Sequence, residues 1–68
     1  MSQPKSYYTL LVREQTPGSN WTPQFGDYKR SVVDQDRRDI DVPRSHTLII
    51  CTLDTQEAID AGIKKANE

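Results

Sequence analysis

Apolar positions along this chain fall into three extended runs and two helical stripes. Tyr7-Tyr8-Thr9-Leu10-Leu11-Val12-Arg13 is rich in aromatic and branched side chains and is bounded by Pro4 and by Thr16-Pro17-Gly18-Ser19-Asn20. It predicts a strand followed by a turn. Alternation sends Tyr8, Leu10 and Val12 to one face and Tyr7, Thr9, Leu11 and Arg13 to the other. Pro17 presets φ and Gly18 is free to take positive φ, so the chain can reverse there. Trp21 to Phe25 then returns as a short antiparallel strand. Pro23 lacks a ladder donor, which predicts an edge position for it.

From Asp27 the period changes. Asp27 is a good N-cap, and Tyr28, Val32, Val33 and Ile40 can share one helical face. Asp34 and Arg38 stand four apart with the acid first, the favourable order for a helical pair. A helix from about Tyr28 to Asp39, with a loop through Pro43, is the preferred reading. The competing one makes Arg38 to Val42 a strand, because Ile40 and Val42 alternate with charged residues. Thr47-Leu48-Ile49-Ile50-Cys51-Thr52-Leu53 is apolar on both faces, as expected of a strand with neighbours on each side and cover above and below. Next comes the clearest helix. Asp54 can cap it, Glu57 completes an acidic capping box, and Ile59, Ile63 and Ala66 form a stripe beside Ala58 and Gly62. Lys64 and Lys65 suit the C-terminal dipole, and Asn67 is a reasonable stop.

The expected fold is therefore a single small α+β domain over residues 1–68, with an ordered core of about 6–67. Its order is ββαβα: a three-stranded sheet with the third strand central beside the first, and two helices on one face. The other face would then stay open, and a second copy of the chain is the simplest cover for it.

Composition narrows the function. Sixty-eight residues make one domain that buries only about 60% of its unfolded surface, so stability is marginal. Nine basic and ten acidic side chains leave a net charge of −1, which argues against a general nucleic-acid binder. One cysteine forms no internal disulfide and offers no Cys/His grouping for zinc. The longest unbroken apolar run, Leu48 to Cys51, is far too short to cross a bilayer, and the first twenty residues lack a signal-peptide core. A cytoplasmic location without membrane contact is the expectation.

Each candidate for chemistry in the chain has a plainer reading. His46 and Cys51 would need an exposed, activated thiol, whereas Cys51 sits in the most apolar stretch, where an inert buried thiol is usual. Asp34, Asp36, Asp39 and Asp41 are interrupted by Arg37 and Arg38 and follow no calcium-loop pattern, so solvated charge is the simpler account. Gly18, Gly26 and Gly62 are scattered and form no phosphate loop. No catalytic group, metal site or cofactor is assigned. Lys29, Arg30, Arg37, Arg38 and Arg44 place five positive charges within residues 29–44, with aspartates cancelling most of them. Within Trp21-Thr22-Pro23-Gln24-Phe25-Gly26-Asp27-Tyr28-Lys29-Arg30, the plain reading makes Trp21 and Phe25 core, Gly26 a turn and Asp27 a cap. The functional reading is a recognition surface, because Trp, Tyr and Arg dominate binding hot spots.

The spacing Trp-x-x-x-Phe-Gly-Asp-Tyr-x-Arg, preceded by Tyr-Tyr-x-Leu-Leu-Val-Arg, resembles small uncharacterised proteins encoded by bacteriophages and prophages. The Leu-Ile-Ile-x-Thr run and the Thr-Gln-x-x-Ile-Asp-x-x-Ile helix are similar to the same group, so the resemblance covers most of residues 7 to 67. The chain departs from the group between Asp34 and Val42, where Asp-Arg-Arg-Asp-Ile-Asp replaces a tyrosine-bearing acidic helix. The resemblance implies a viral or prophage origin, action in the host cytoplasm, and binding to a host protein.

The expected function is a non-enzymatic protein–protein interaction module that binds a host protein, with inhibition of that protein as one possible outcome. The expected contact residues are Trp21, Tyr28, Arg30, Arg37 and Arg38, and a homodimer is a further expectation. Two alternatives stand beside it. One is a nucleic-acid-binding accessory protein using residues 29–44, and the other a nucleotide binder stacking Trp21 and Tyr28 at a dimer interface.

Overall fold

The computed structural model describes residues 3–14, 16 and 18–68. Strand β1 spans Ser6–Val12, β2 Thr22–Asp27 and β3 Thr47–Leu53, while helix α1 spans Arg30–Asp39 and α2 Gln56–Ala66. A short 3-10 turn, Arg44–His46, leads into β3. The α+β class and the order ββαβα are as expected, and the sheet is antiparallel throughout. Gly18 takes φ +83°, the left-handed conformation expected of it in the reversal; its partner Pro17 lies outside the described residues.

Strand order is β2-β1-β3, so β1 is central and both β2 and β3 are edges. The edge position of β2 agrees with Pro23. At Pro23 the register slips: Leu10 faces Phe25 but Leu11 faces Pro23, leaving Gln24 as the extra residue of a bulge. The expectation of a central β3 is corrected. Ser6 to Val12 is paired on one side with β3, Tyr8 to Val12 on the other with β2, and Leu53 to Thr47 runs antiparallel to β1 on the outside.

Adjacent residues of β1 point to opposite faces, yet Leu10 and Leu11 are both fully buried. Both faces of the central strand are therefore covered, and the helices divide between them rather than sharing one. Gly62 of α2 lies against Ile50 and Thr52, which pair with Thr9 and Tyr7. On the opposite face, Val32 and Gln35 of α1 border a groove with Phe25, the partner of Leu10. The connection β2–α1–β3 joins two parallel strands across β1, a crossover whose usual right-handed sense confines α1 to one face, and the contacts of Gly62 put α2 on the other. Val33, also fully buried, is the α1 residue that seals its side.

The caps differ from the sequence reading. The residue capping α2 is Thr55, whose Oγ1 accepts from the Ala58 N–H at 3.2 Å, and Asp54 instead accepts the Tyr28 hydroxyl and the Lys5 N–H. Asp27 ends β2 and accepts the Lys29 N–H at 2.9 Å, forming the turn that precedes α1 rather than its cap. At the far end of α2, the Asn67 side chain brackets the backbone of Trp21. It accepts the Trp21 N–H at 2.6 Å and donates to the Trp21 carbonyl at 3.1 Å, tying helix to hairpin.

Candidate functional site

The expected contact residues separate into two groups. Trp21 precedes β2 and Tyr28 follows it, so the strand holds them about 20 Å apart. Trp21 is half-buried, with the Arg13 guanidinium 4.7 Å above its ring and Asn67 on its backbone. These contacts anchor the turn between β1 and β2. Tyr28 is 55% exposed, yet its ring stands edge-on to Tyr7 at 5.0 Å and its hydroxyl donates to Asp54 at 3.0 Å. That bond, and then the Asp54 charge, hold its phenol above the usual tyrosine range. Within one chain the two rings cannot stack on the same base.

The arginines do come together. Helical spacing puts Arg30, Asp34, Arg37 and Arg38 on neighbouring turns of α1, and the loop after α1 returns Arg44 to the same side. Asp34 is the hub. Its Oδ1 accepts from Arg37 Nη2 at 2.5 Å and Nε at 3.2 Å, and its Oδ2 pairs with Arg38 at 3.0 Å. The hydrogen bonding by Arg37, aided by the charges of Arg38, Arg37 and Arg30, holds the Asp34 carboxyl below the usual carboxylate range. Arg37 is largely shielded at 16% side-chain exposure, whereas Arg38 is open at 67%. Arg30, Arg37 and Arg44 line a groove whose opposite wall is Thr47, Leu48 and Ile49 of β3. One carboxylate thus stands among four guanidinium groups, and the groove is cationic although the chain is nearly neutral. Arg44 was visible in the sequence only as one more charge, because no short-range pattern says that residue 44 returns beside residues 30 and 37.

The aspartates not used by this hub lie elsewhere. Asp39 accepts from Gln35 at 3.2 Å, and Asp36 and Asp39 border the groove with Phe25 on the β2 side of α1. Charge is therefore segregated around α1, with arginine toward β3 and aspartate toward β2. The expectation of a buried thiol is corrected, since Cys51 is exposed on the outer strand β3. His46 precedes β3 and is about 15 Å away along the extended chain, so the two do not form a pair. Among the described residues no group of three His, Cys, Asp or Glu side chains gathers as a metal would require, and no helix is long and apolar enough to cross a membrane. Comparison of the chain with protein-family models, curated proteins and solved structures finds no match.

Proposed function

We propose that this chain is a non-enzymatic protein–protein interaction module of phage or prophage type, which binds and thereby inhibits a host protein by accepting an acidic segment in the groove between α1 and β3. The observation that carries this reading is the gathering of Arg30, Arg37, Arg38 and Arg44 around the single carboxylate of Asp34, beside the apolar residues Leu48 and Ile49. Guanidinium groups pair bidentately with carboxylates, and an apolar wall next to them suits the mixed character of a protein contact better than a bare polyanion. Arg30 and Arg38 are the exposed arms of the site, Arg38 sharing Asp34 through one end of its guanidinium; Arg37 is held by Asp34, largely shielded, and shapes it. Tyr28, two residues before Arg30 in the chain, packs instead on Tyr7 and Asp54, and Trp21 serves the hairpin, so neither lines the groove.

The test is capture of partners from a bacterial lysate by the tagged chain, with and without nuclease, beside a variant carrying Arg30→Ala and Arg38→Ala. A host protein recovered in near-equal amount after nuclease, and lost with the double variant, supports the reading. Recovery that vanishes with nuclease moves the groove to nucleic acid. A host protein retained equally by the variant removes the arginines from the contact.

A further inference from the structure

The outer edge of β3 carries a bonding pattern that is complementary to itself. The Arg13 N–H donates to the His46 carbonyl at 3.1 Å, which continues the register of β1 with β3 and makes that opposed pair a hydrogen-bonded one. Such pairs alternate along an antiparallel ladder, so Leu48, Ile50 and Thr52 turn their backbone groups to β1, and Thr47, Ile49, Cys51 and Leu53 turn theirs outward. Two of those outward groups are already satisfied within the chain. The Thr47 N–H donates to the Arg44 carbonyl, and the Leu53 carbonyl accepts from the Thr52 hydroxyl at 2.8 Å. Among the described residues this leaves three donors free, on Ile49, Cys51 and Leu53, and three acceptors, on Thr47, Ile49 and Cys51.

We propose that β3 pairs antiparallel with β3 of a second copy about a two-fold axis at Ile50, joining two sheets into one of six strands. In that register Ile49 faces the partner's Cys51 and Thr47 faces the partner's Leu53. Every free donor meets a free acceptor. The one bond the register would leave unmade, from the Thr47 N–H to the Leu53 carbonyl, joins the two groups already satisfied internally. An axis at Cys51 instead sets the Ile49 N–H against the occupied Leu53 carbonyl and leaves the Thr47 carbonyl without a donor. Nothing along Thr47–Leu53 opposes such pairing, since the strand has no charge, no proline and no bulge.

The helix above the strand has the same symmetry at the same level. Gly62 rests on Ile50 and Thr52, which places Ala61 near the axis. At 100° per residue, Asn67 turns from Gly62 toward β2, where it holds Trp21, and Ala61 turns the other way, toward the outer edge. Glu57, Ala61 and Lys65, all exposed, form one stripe on that side. A two-fold neighbour runs antiparallel, so Ala61 meets its own copy, and Glu57 meets the partner's Lys65. Charge and size are thus matched where the two helices pass. On the other face, the two grooves open onto one shared floor of β3 strands walled by α1 of each copy. The pairing rests on backbone bonding and stands whether or not the arginines take an acidic segment.

The experiment is the mass of the full chain in solution by light scattering, at tens of micromolar. Twice the 7.8 kDa chain mass is expected. Ala61→Glu and Cys51→Lys, both at exposed positions, should give the single-chain mass with an unchanged circular dichroism spectrum. Ile49→Cys, on the background of native Cys51, sets the register. It places thiols on directly opposed residues about 5.5 Å apart, within disulfide range, and should oxidise to a covalent dimer. The native chain keeps its two Cys51 thiols on a diagonal at about 7–8 Å and should not. A native chain of single mass, or a doubled mass in both charged variants, overturns the β3 interface. Equally rapid cross-linking through Cys51 alone overturns the axis at Ile50.

Discussion

A glycine inside a helix ordinarily costs stability, and replacing it with alanine gains about 1 kcal/mol of helix propensity. Gly62 should behave in the opposite way. A Cβ there would stand 2.8 Å from Thr52 Cγ2 and 3.0 Å from Ile50 Cδ1, so α2 would have to lift from β3. Overpacking of this kind costs about 1–3 kcal/mol, more than the propensity returns. Gly62→Ala should therefore lower the melting temperature by several degrees, and adding Thr52→Ser, which deletes the offending methyl and keeps the hydroxyl on the Leu53 carbonyl, should restore most of it. A single variant more stable than the native chain would show that α2 is not seated on β3 as described. Tyr28 carries a second prediction at this scale. Its folded-state pKa is raised by the bond to Asp54, so its stabilising contribution is complete below the ordinary tyrosine value and is lost as pH rises through the folded one. Phenolate absorbance in Asp54→Ala should consequently begin at lower pH than in the native chain. Coincident titration curves would remove Asp54 as the cause.

At the scale of the elements, the ties between them are few and separable. Asn67 joins α2 to the Trp21 backbone by two hydrogen bonds, and Asn67→Ala should cost about 1–2 kcal/mol and move the tryptophan emission toward that of exposed indole. Unchanged emission and stability would show that Val12 and Thr22 hold the hairpin without it. Helix α1 is bound to its own surface by Asp34, whose pKa is lowered chiefly by the Arg37 hydrogen bond. A lowered carboxyl contributes stability above its unfolded value of about 4 and loses it as pH falls through the folded one. Melting temperatures below pH 4 should therefore fall more steeply in the native chain than in Asp34→Asn; parallel slopes would leave the hub without energetic weight. The elements themselves were legible because they rest on local signals: the Tyr7–Val12 and Thr47–Leu53 runs, the glycine at position 18, and the stripe around Ile59. Capping was less legible, because Asp54 and Thr55 are equally good caps by composition, and only the distant Tyr28 hydroxyl draws Asp54 away.

For the molecule as a whole, what the sequence left open is what depends on contacts far apart in the chain. Two apolar runs compete for the centre of a three-stranded sheet, and local pattern cannot rank them. Apolar residues on both faces of Thr47–Leu53 arise from α2 on one side and from an outward, half-covered surface on the other, where Leu53 is 52% exposed. The charge balance of −1 likewise concealed the segregation around α1. The described chain has only three fully buried large side chains, Leu10, Leu11 and Val33, which is a small core even for this length. Joining two copies through β3 would bury Leu53 and Leu48 further without adding anything to either core. Stability would then depend on association, and an associating native state melts at a temperature that rises with concentration. Across a hundredfold range of protein concentration in which the chain associates, mass action stabilises the dimer by about 2.7 kcal/mol, or about 1.4 kcal/mol per chain. For a domain of this size that is an upward shift of roughly five to ten degrees. Cys51→Lys should abolish the slope while leaving the melting temperature at the lowest concentration nearly unchanged, because its side chain is exposed in the single chain. A native melting temperature independent of concentration would mean that Leu10, Leu11 and Val33 suffice on their own, and that the bare edge of β3 is tolerated rather than used.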